Sequence, residues 1–172
     1  MKRRTLLGLG GVFAAASAIG GWSLSRHGDQ PLLLSARNDA DGHHYAVGYR
    51  LDGSCVFATP VTERCHDVHT HPYLPLAVFV GRRPSRESYL IDTRDGSLLQ
   101  VLASPEDRHF YGHGVFHASG EWLAATENDT RDAGRGVLGI YRLEERRLVR
   151  TGEHPTHGIG PHQLLWMPDG ET

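Results

Sequence analysis

Three observations predict an all-β fold for this chain of 172 residues. His66, His113 and His162 recur at intervals of 47 and 49 residues, and each opens a short apolar run that ends in a turn. Those turns are Thr70-His71-Pro72, His117-Ala118-Ser119-Gly120 and Met167-Pro168-Asp169-Gly170. Leu76-Ala77 and Leu123-Ala124 keep the same offset of 47 residues. The 21 glycines and 9 prolines punctuate apolar runs of strand length, as a turn-rich β protein requires. A strand-and-turn unit repeating at about 40–50 residues is the period of stacked four-stranded blades. The predicted architecture is therefore a β-propeller of antiparallel blades, here an incomplete arc of about three.

Residues 1–25 read as an address rather than as part of the domain, which is expected over 26–172. Arg3-Arg4 stands directly before an apolar run from Leu6 to Leu24, the pattern of a twin-arginine export signal. Ala16-Ser17-Ala18 offers a small-residue cleavage site, and the repeated glycines of the run make a poor permanent membrane span. The expected location is periplasmic, with membrane contact only through an uncleaved signal.

The first blade is expected over about 31–61 and is one strand short. Leu32 to Arg37, Tyr45 to Leu51 and Cys55 to Thr59 supply three strands, with Asp52-Gly53 as a hairpin turn. A complete second blade is expected over about 66–103, with Arg94-Asp95-Gly96-Ser97 turning its last two strands. The third, over about 112–152, repeats that order through Gly114 to His117, Trp122 to Glu127, Val137 to Leu143 and Leu148 to Gly152. His162 to Met167 would open a fourth blade over about 161–172. A ring needs roughly 4–8 blades, so the chain is expected to be a fragment of a longer propeller.

The formal charge of −2 points to neither nucleic acid nor an anionic membrane as partner. No Gly-x-Ser-x-Gly, Walker loop or dinucleotide fingerprint occurs, which disfavours acyl-transfer, nucleotide and nicotinamide chemistry. Cys55 and Cys65 are ten apart with no CxxC spacing. Outside the cytoplasm such a pair is expected to oxidise; two unpaired thiols are the alternative.

Histidines opening successive innermost strands would converge at the channel mouth. Three imidazoles there make a plausible shell for iron, copper or zinc, with His66, His113 and His162 as ligands and Glu127 able to complete a mixed nitrogen and oxygen set. His69 and His71 share a strand face with each other and could extend the site. His109, His117, His154 and His157 flank the other two strand openings. A purely structural role, in which the imidazoles lock neighbouring blades together, stands as the alternative. Thr126-Glu127-Asn128-Asp129 could instead hold a hard cation such as calcium and polarise a lactone carbonyl, although these are also ordinary turn residues.

Several motifs carry a family resemblance. With Arg3-Arg4, these are Phe110-Tyr111-Gly112-His113-Gly114-Val115-Phe116, Thr126-Glu127-Asn128-Asp129, Asp132-Ala133-Gly134-Arg135-Gly136-Val137 and His157-Gly158-Ile159-Gly160-Pro161-His162. Through them the chain resembles domain-of-unknown-function family 1513, exported bacterial propellers of WD40 or YVTN type about twice this length. The resemblance implies periplasmic partner proteins and a role near iron acquisition, with no assigned activity and no catalytic residues. The leading expectation is a ligand- or partner-binding protein of iron uptake. A lactonase-type hydrolase using Glu127 and Asn128, or a pure interaction scaffold, are the alternatives.

Overall fold

The computed structural model describes residues 31–132 and 134–167. Every regular element within them is a β-strand, and no helix occurs among the described residues. The expected export signal lies outside this range, as do residues 168–172. No helix of the described residues is long and apolar enough to cross a membrane.

Three antiparallel sheets follow one another along the chain. The first contains β1 (Leu32–Asn38), β2 (His44–Arg50) and β3 (Cys55–Val61). The second contains β4 (Cys65–Thr70), β5 (Leu76–Gly81), β6 (Glu87–Asp92) and β7 (Leu98–Ala103). The third contains β8 (Arg108–Phe116), β9 (Trp122–Asp129), β10 (Arg135–Glu144) and β11 (Arg147–Ile159). Within each sheet every strand pairs with its sequence neighbour, so each sheet is a simple meander. The Asp-Gly turns are where the sequence puts them. Gly53 and Gly96 take φ of 85° and 80°, a region glycine enters without steric cost. The β10–β11 hairpin instead turns on Glu145 and Arg146, both at positive φ, so its sequence carries no glycine signal.

Strand limits differ from expectation in three places. β8 begins at Arg108 rather than near Gly114, and β11 runs on to Ile159 rather than stopping at Gly152. Residues 161–167, expected to open a further blade, form no strand. A strand needs a ladder partner, and none of the described residues pairs with this segment. It lies along β8 instead: Trp166 Nε1 donates to the Val115 carbonyl at 3.4 Å, and its indole meets the His117 ring at 4.8 Å.

The second sheet is buried on both faces, which explains why β5 is an unbroken apolar run. Ala77, Phe79, Tyr89 and Ile91 pack with Ala46 and Phe57 of the first sheet. Leu76, Val78, Val80 and Leu90 pack with Phe110, Phe116, Leu123, Ala125 and Tyr141 of the third. This division corrects the expected equivalence of Leu76 with Leu123. Leu76 points towards the third sheet, whereas Leu123 points back towards the second. The ladder offset is 46, not 47: His71 N–H donates to Leu76 O, and His117 N–H to Trp122 O. A one-residue slip moves a side chain to the opposite face of its sheet.

His69 and His71 serve this packing and do not extend a ligand cluster. His69 Nδ1 accepts the Phe116 N–H at 3.3 Å. His71 Nδ1 accepts the Tyr73 and Leu74 N–H groups at 3.0 and 2.9 Å, while Nε2 donates to the Gly120 carbonyl at 3.0 Å. Both ring nitrogens are thereby assigned, and only the neutral imidazole satisfies them. Burial holds His71 below the ordinary histidine range, with the Gly120 bond opposing. A depressed folded pKa gives stability that is present above the unfolded value of about 6.5 and is lost as pH falls through it to the folded pKa. Denaturant midpoints are expected to fall between pH 7.5 and 5.5, and His71→Gln should flatten part of that slope. An equal slope in the variant would place the pH sensitivity elsewhere.

Candidate metal centre

Two β-bulges and one loop build the histidine cluster. In β4 the ladder shifts register between Cys65 and Asp67, leaving His66 on the extra residue. In β8 it shifts between Phe110 and Gly114, so Tyr111, Gly112 and His113 bulge opposite Thr126. Thr126 secures that bulge, its Oγ1 accepting the His113 N–H at 3.2 Å and donating to the His113 carbonyl at 3.1 Å. A bulge bends its strand and re-aims the extra side chain, and here both bulges aim an imidazole. Gly112 has φ of 114°, and a Cβ built on it would stand 2.9 Å from His66 Cδ2. The missing side chain makes room for the His66 ring.

His162 arrives from the third sheet. After β11, Gly160 turns at φ of 62° against the Tyr111 ring, and Pro161 packs over Gly136. A side chain on either glycine would push this loop away: a Cβ on Gly160 would lie 2.9 Å from Tyr111 Oη, and one on Gly136 2.6 Å from Pro161 Cδ.

The result is a compact triad. Ring centroids are 5.0 Å apart for His66 and His113, 4.5 Å for His113 and His162, and 6.5 Å for His66 and His162. One ring nitrogen from each lies within 4.8 Å of the others. Tetrahedral zinc with bonds of about 2.0–2.1 Å sets nitrogens about 3.3 Å apart, so the rings need close by at most about 1.5 Å. His66 and His162 are exposed and His113 is half-buried, so the triad opens to solvent on one side.

His113 is oriented for coordination. Its Nδ1 lies 3.2 Å from Asp67 Oδ2, while its Nε2 is buried with no hydrogen-bond partner among the described residues. A carboxylate on one imidazole nitrogen fixes the tautomer and leaves the other with a lone pair for a metal. An unpartnered buried nitrogen is otherwise costly. Burial, and then the neighbouring His113 imidazole, hold His66 below the ordinary histidine range, which favours the neutral form a metal requires.

Glu127 does not join this centre. Its side chain is fully buried on the other face of β9, where it accepts from Tyr141 Oη at 2.6 Å and Arg150 Nη2 at 2.8 Å. Thr126 faces the β8 bulge, so alternation along the strand turns Glu127 away. In the expected calcium set Thr126-Glu127-Asn128-Asp129, both carboxylates are already paired, Glu127 with Arg150 and Asp129 with two arginines. Asp129 is held by Arg131 at 2.9 Å and by Arg108 at 3.2 Å. Arg108 also grips Glu153 through two bonds of 3.0 and 2.6 Å, which hold that carboxyl down at about 2 against the opposing effect of burial. The cysteines are unbonded: exposed Cys55 donates to Phe57 O, and buried Cys65 to Glu63 O.

The sequence reading gives Asp67, Gly112 and Tyr111 no role at this centre. Asp67 had a legible signal, a carboxylate beside a candidate ligand in Cys65-His66-Asp67-Val68. The geometric roles of Gly112 and Tyr111 depend on bulges that no single motif announces.

The fold and site together define an all-β protein of consecutive meander sheets with a three-histidine cluster where they meet. A family model described as "Protein of unknown function (DUF1513)" matches residues 59–172, and the chain belongs to that family. The matched range contains all three histidines. No curated protein matches the chain.

Proposed function

We propose that the three sheets are successive blades of a β-propeller and that His66, His113 and His162 bind a transition-metal ion beside its axis. The observation that carries this reading is the buried, unpartnered Nε2 of His113, turned by Asp67 into a cluster whose three ring nitrogens lie within 4.8 Å of one another. His71, which serves packing, spends both its nitrogens on the protein. The blade reading is supported by the burial of the second sheet between its neighbours and by the repeat of 46 residues in the ladders. Arg3-Arg4 supports export to the periplasm, and the family resemblance supports a binding role near iron acquisition.

Affinity alone will not identify the metal, because nitrogen sites favour copper over zinc and iron whatever their purpose. The decisive material is full-length protein exported by its own host and purified without chelators. About one iron, copper or zinc per chain is expected, or uptake of one equivalent on titration. Metal-free protein that takes up none of the three would overturn the reading.

A further inference from the structure

We infer that Tyr111 is a positioning residue of the three-histidine centre, its ring supporting Gly160 so that His162 stands within reach of the metal. The inference rests on the metal reading above and concerns how the third ligand is held. His66 and His113 belong to strands whose ladders fix the backbone on both sides of each bulge. His162 has no such frame, because it follows β11 in a segment without a ladder partner among the described residues. Something other than a sheet must place it.

The contact at Gly160 does so. Gly160 N–H donates to the Gly134 carbonyl at 3.2 Å, and the turn presses its backbone onto Tyr111. A Cβ built on Gly160 would meet Tyr111 Oη at 2.9 Å, Cζ at 3.4 Å and Cε1 at 3.5 Å. Only Pro161 separates this contact from His162, and its ring fixes φ, so little slack intervenes. Tyr111 is itself held from the second sheet. Phe110 N–H donates to the Ser85 carbonyl at 2.7 Å, which fastens the connection between β5 and β6 to β8. From that connection Arg83 lays its guanidinium over the Tyr111 ring, 4.8 Å from the centroid. Tyr111 belongs to the same bulge as His113, so one irregularity aims one ligand and props another.

The test compares Tyr111→Ala, Tyr111→Phe and His162→Ala in the full chain. Zinc titration measures affinity, and the visible absorption of bound Co(II) reports coordination. Tyr111→Ala should lower zinc affinity by about 10–100-fold, the scale for groups that orient a ligand. Its Co(II) spectrum should match that of His162→Ala, because both lose the same imidazole. Combined, the two substitutions should cost no more than His162→Ala alone. Tyr111→Phe keeps the ring and should keep the wild-type affinity and spectrum. Arg83→Gln, an exposed site that serves if Tyr111→Ala does not fold, should cost about two- to fivefold, the scale of an exposed cation–π contact. That cost should vanish once His162 is gone. Wild-type affinity in Tyr111→Ala, or an equal loss with and without His162 in either variant, overturns the positioning role and leaves the metal reading intact. Tyr111→Phe binding as weakly as Tyr111→Ala does the same. A wild type that takes up neither metal overturns the metal reading and this inference with it.

Discussion

Arg150→Ala is expected to destabilise the fold by about 3–5 kcal/mol, the cost of stranding a buried charge. The stranded group is Glu127, fully buried on β9, whose Oε2 accepts from Arg150 Nη2 at 2.8 Å. Its other oxygen accepts from Tyr141 Oη at 2.6 Å, and no side chain at Gly139 could fit beside it. The carboxylate is thus enclosed and cannot turn to water. Arg150 also holds Glu153 at 2.7 Å, but Glu153 keeps its paired bonds to Arg108. The loss therefore falls on Glu127. The double variant Glu127→Gln/Arg150→Met removes both charges and keeps an acceptor for Tyr141. It should recover most of the lost stability, since a buried pair replaced as a unit costs little. Equilibrium denaturation of the three proteins checks this. A double variant as unstable as Arg150→Ala would show that packing, not charge, is at stake.

The second large effect concerns the metal. His113→Ala should lower affinity for zinc by more than 100-fold, because it removes the ligand whose lone pair the fold has prepared. Asp67→Asn leaves all three imidazoles in place and should cost about 10–100-fold, the usual scale for an orienting partner. Their ranking is the informative result. Zinc titration monitored by calorimetry measures it, with His117→Ala as a control, since that ring packs on Trp166 and lies outside the triad. Saturating metal at 100 times Kd should also stabilise the wild type by about 2.7 kcal/mol, and His113→Ala hardly at all. Asp67→Asn binding zinc as well as the wild type would remove the orienting role.

Much of the architecture was legible because its signals are local. Asp52-Gly53 and Asp95-Gly96 mark hairpins whose glycines do take positive φ. The apolar run Leu76 to Gly81 reads as a strand covered on both faces, and it is. The triad itself was legible from a spacing of nearly constant period. What stayed hidden were departures from regular ladders. The histidine interval of 47 is one more than the ladder offset of 46, so register places Asp67, not His66, at the position of His113. The bulges bring His66 and His113 together all the same, and a repeat length cannot express that. Glu127 was misplaced for a related reason. Its chemistry suits a ligand, but strand alternation sends it to the face where Arg150 waits from β11. The pairing of β10 with β11 turns on Glu145 and Arg146, which carry no usual turn signature.

Zinc-edge anomalous diffraction from crystals of the full-length protein grown with zinc tests the account most directly. A single strong peak is predicted about 2.1 Å from one ring nitrogen each of His66, His113 and His162, with His113 coordinating through Nε2 and Asp67 still on Nδ1. Anomalous density elsewhere, or three imidazoles lying apart with none between them, would contradict it.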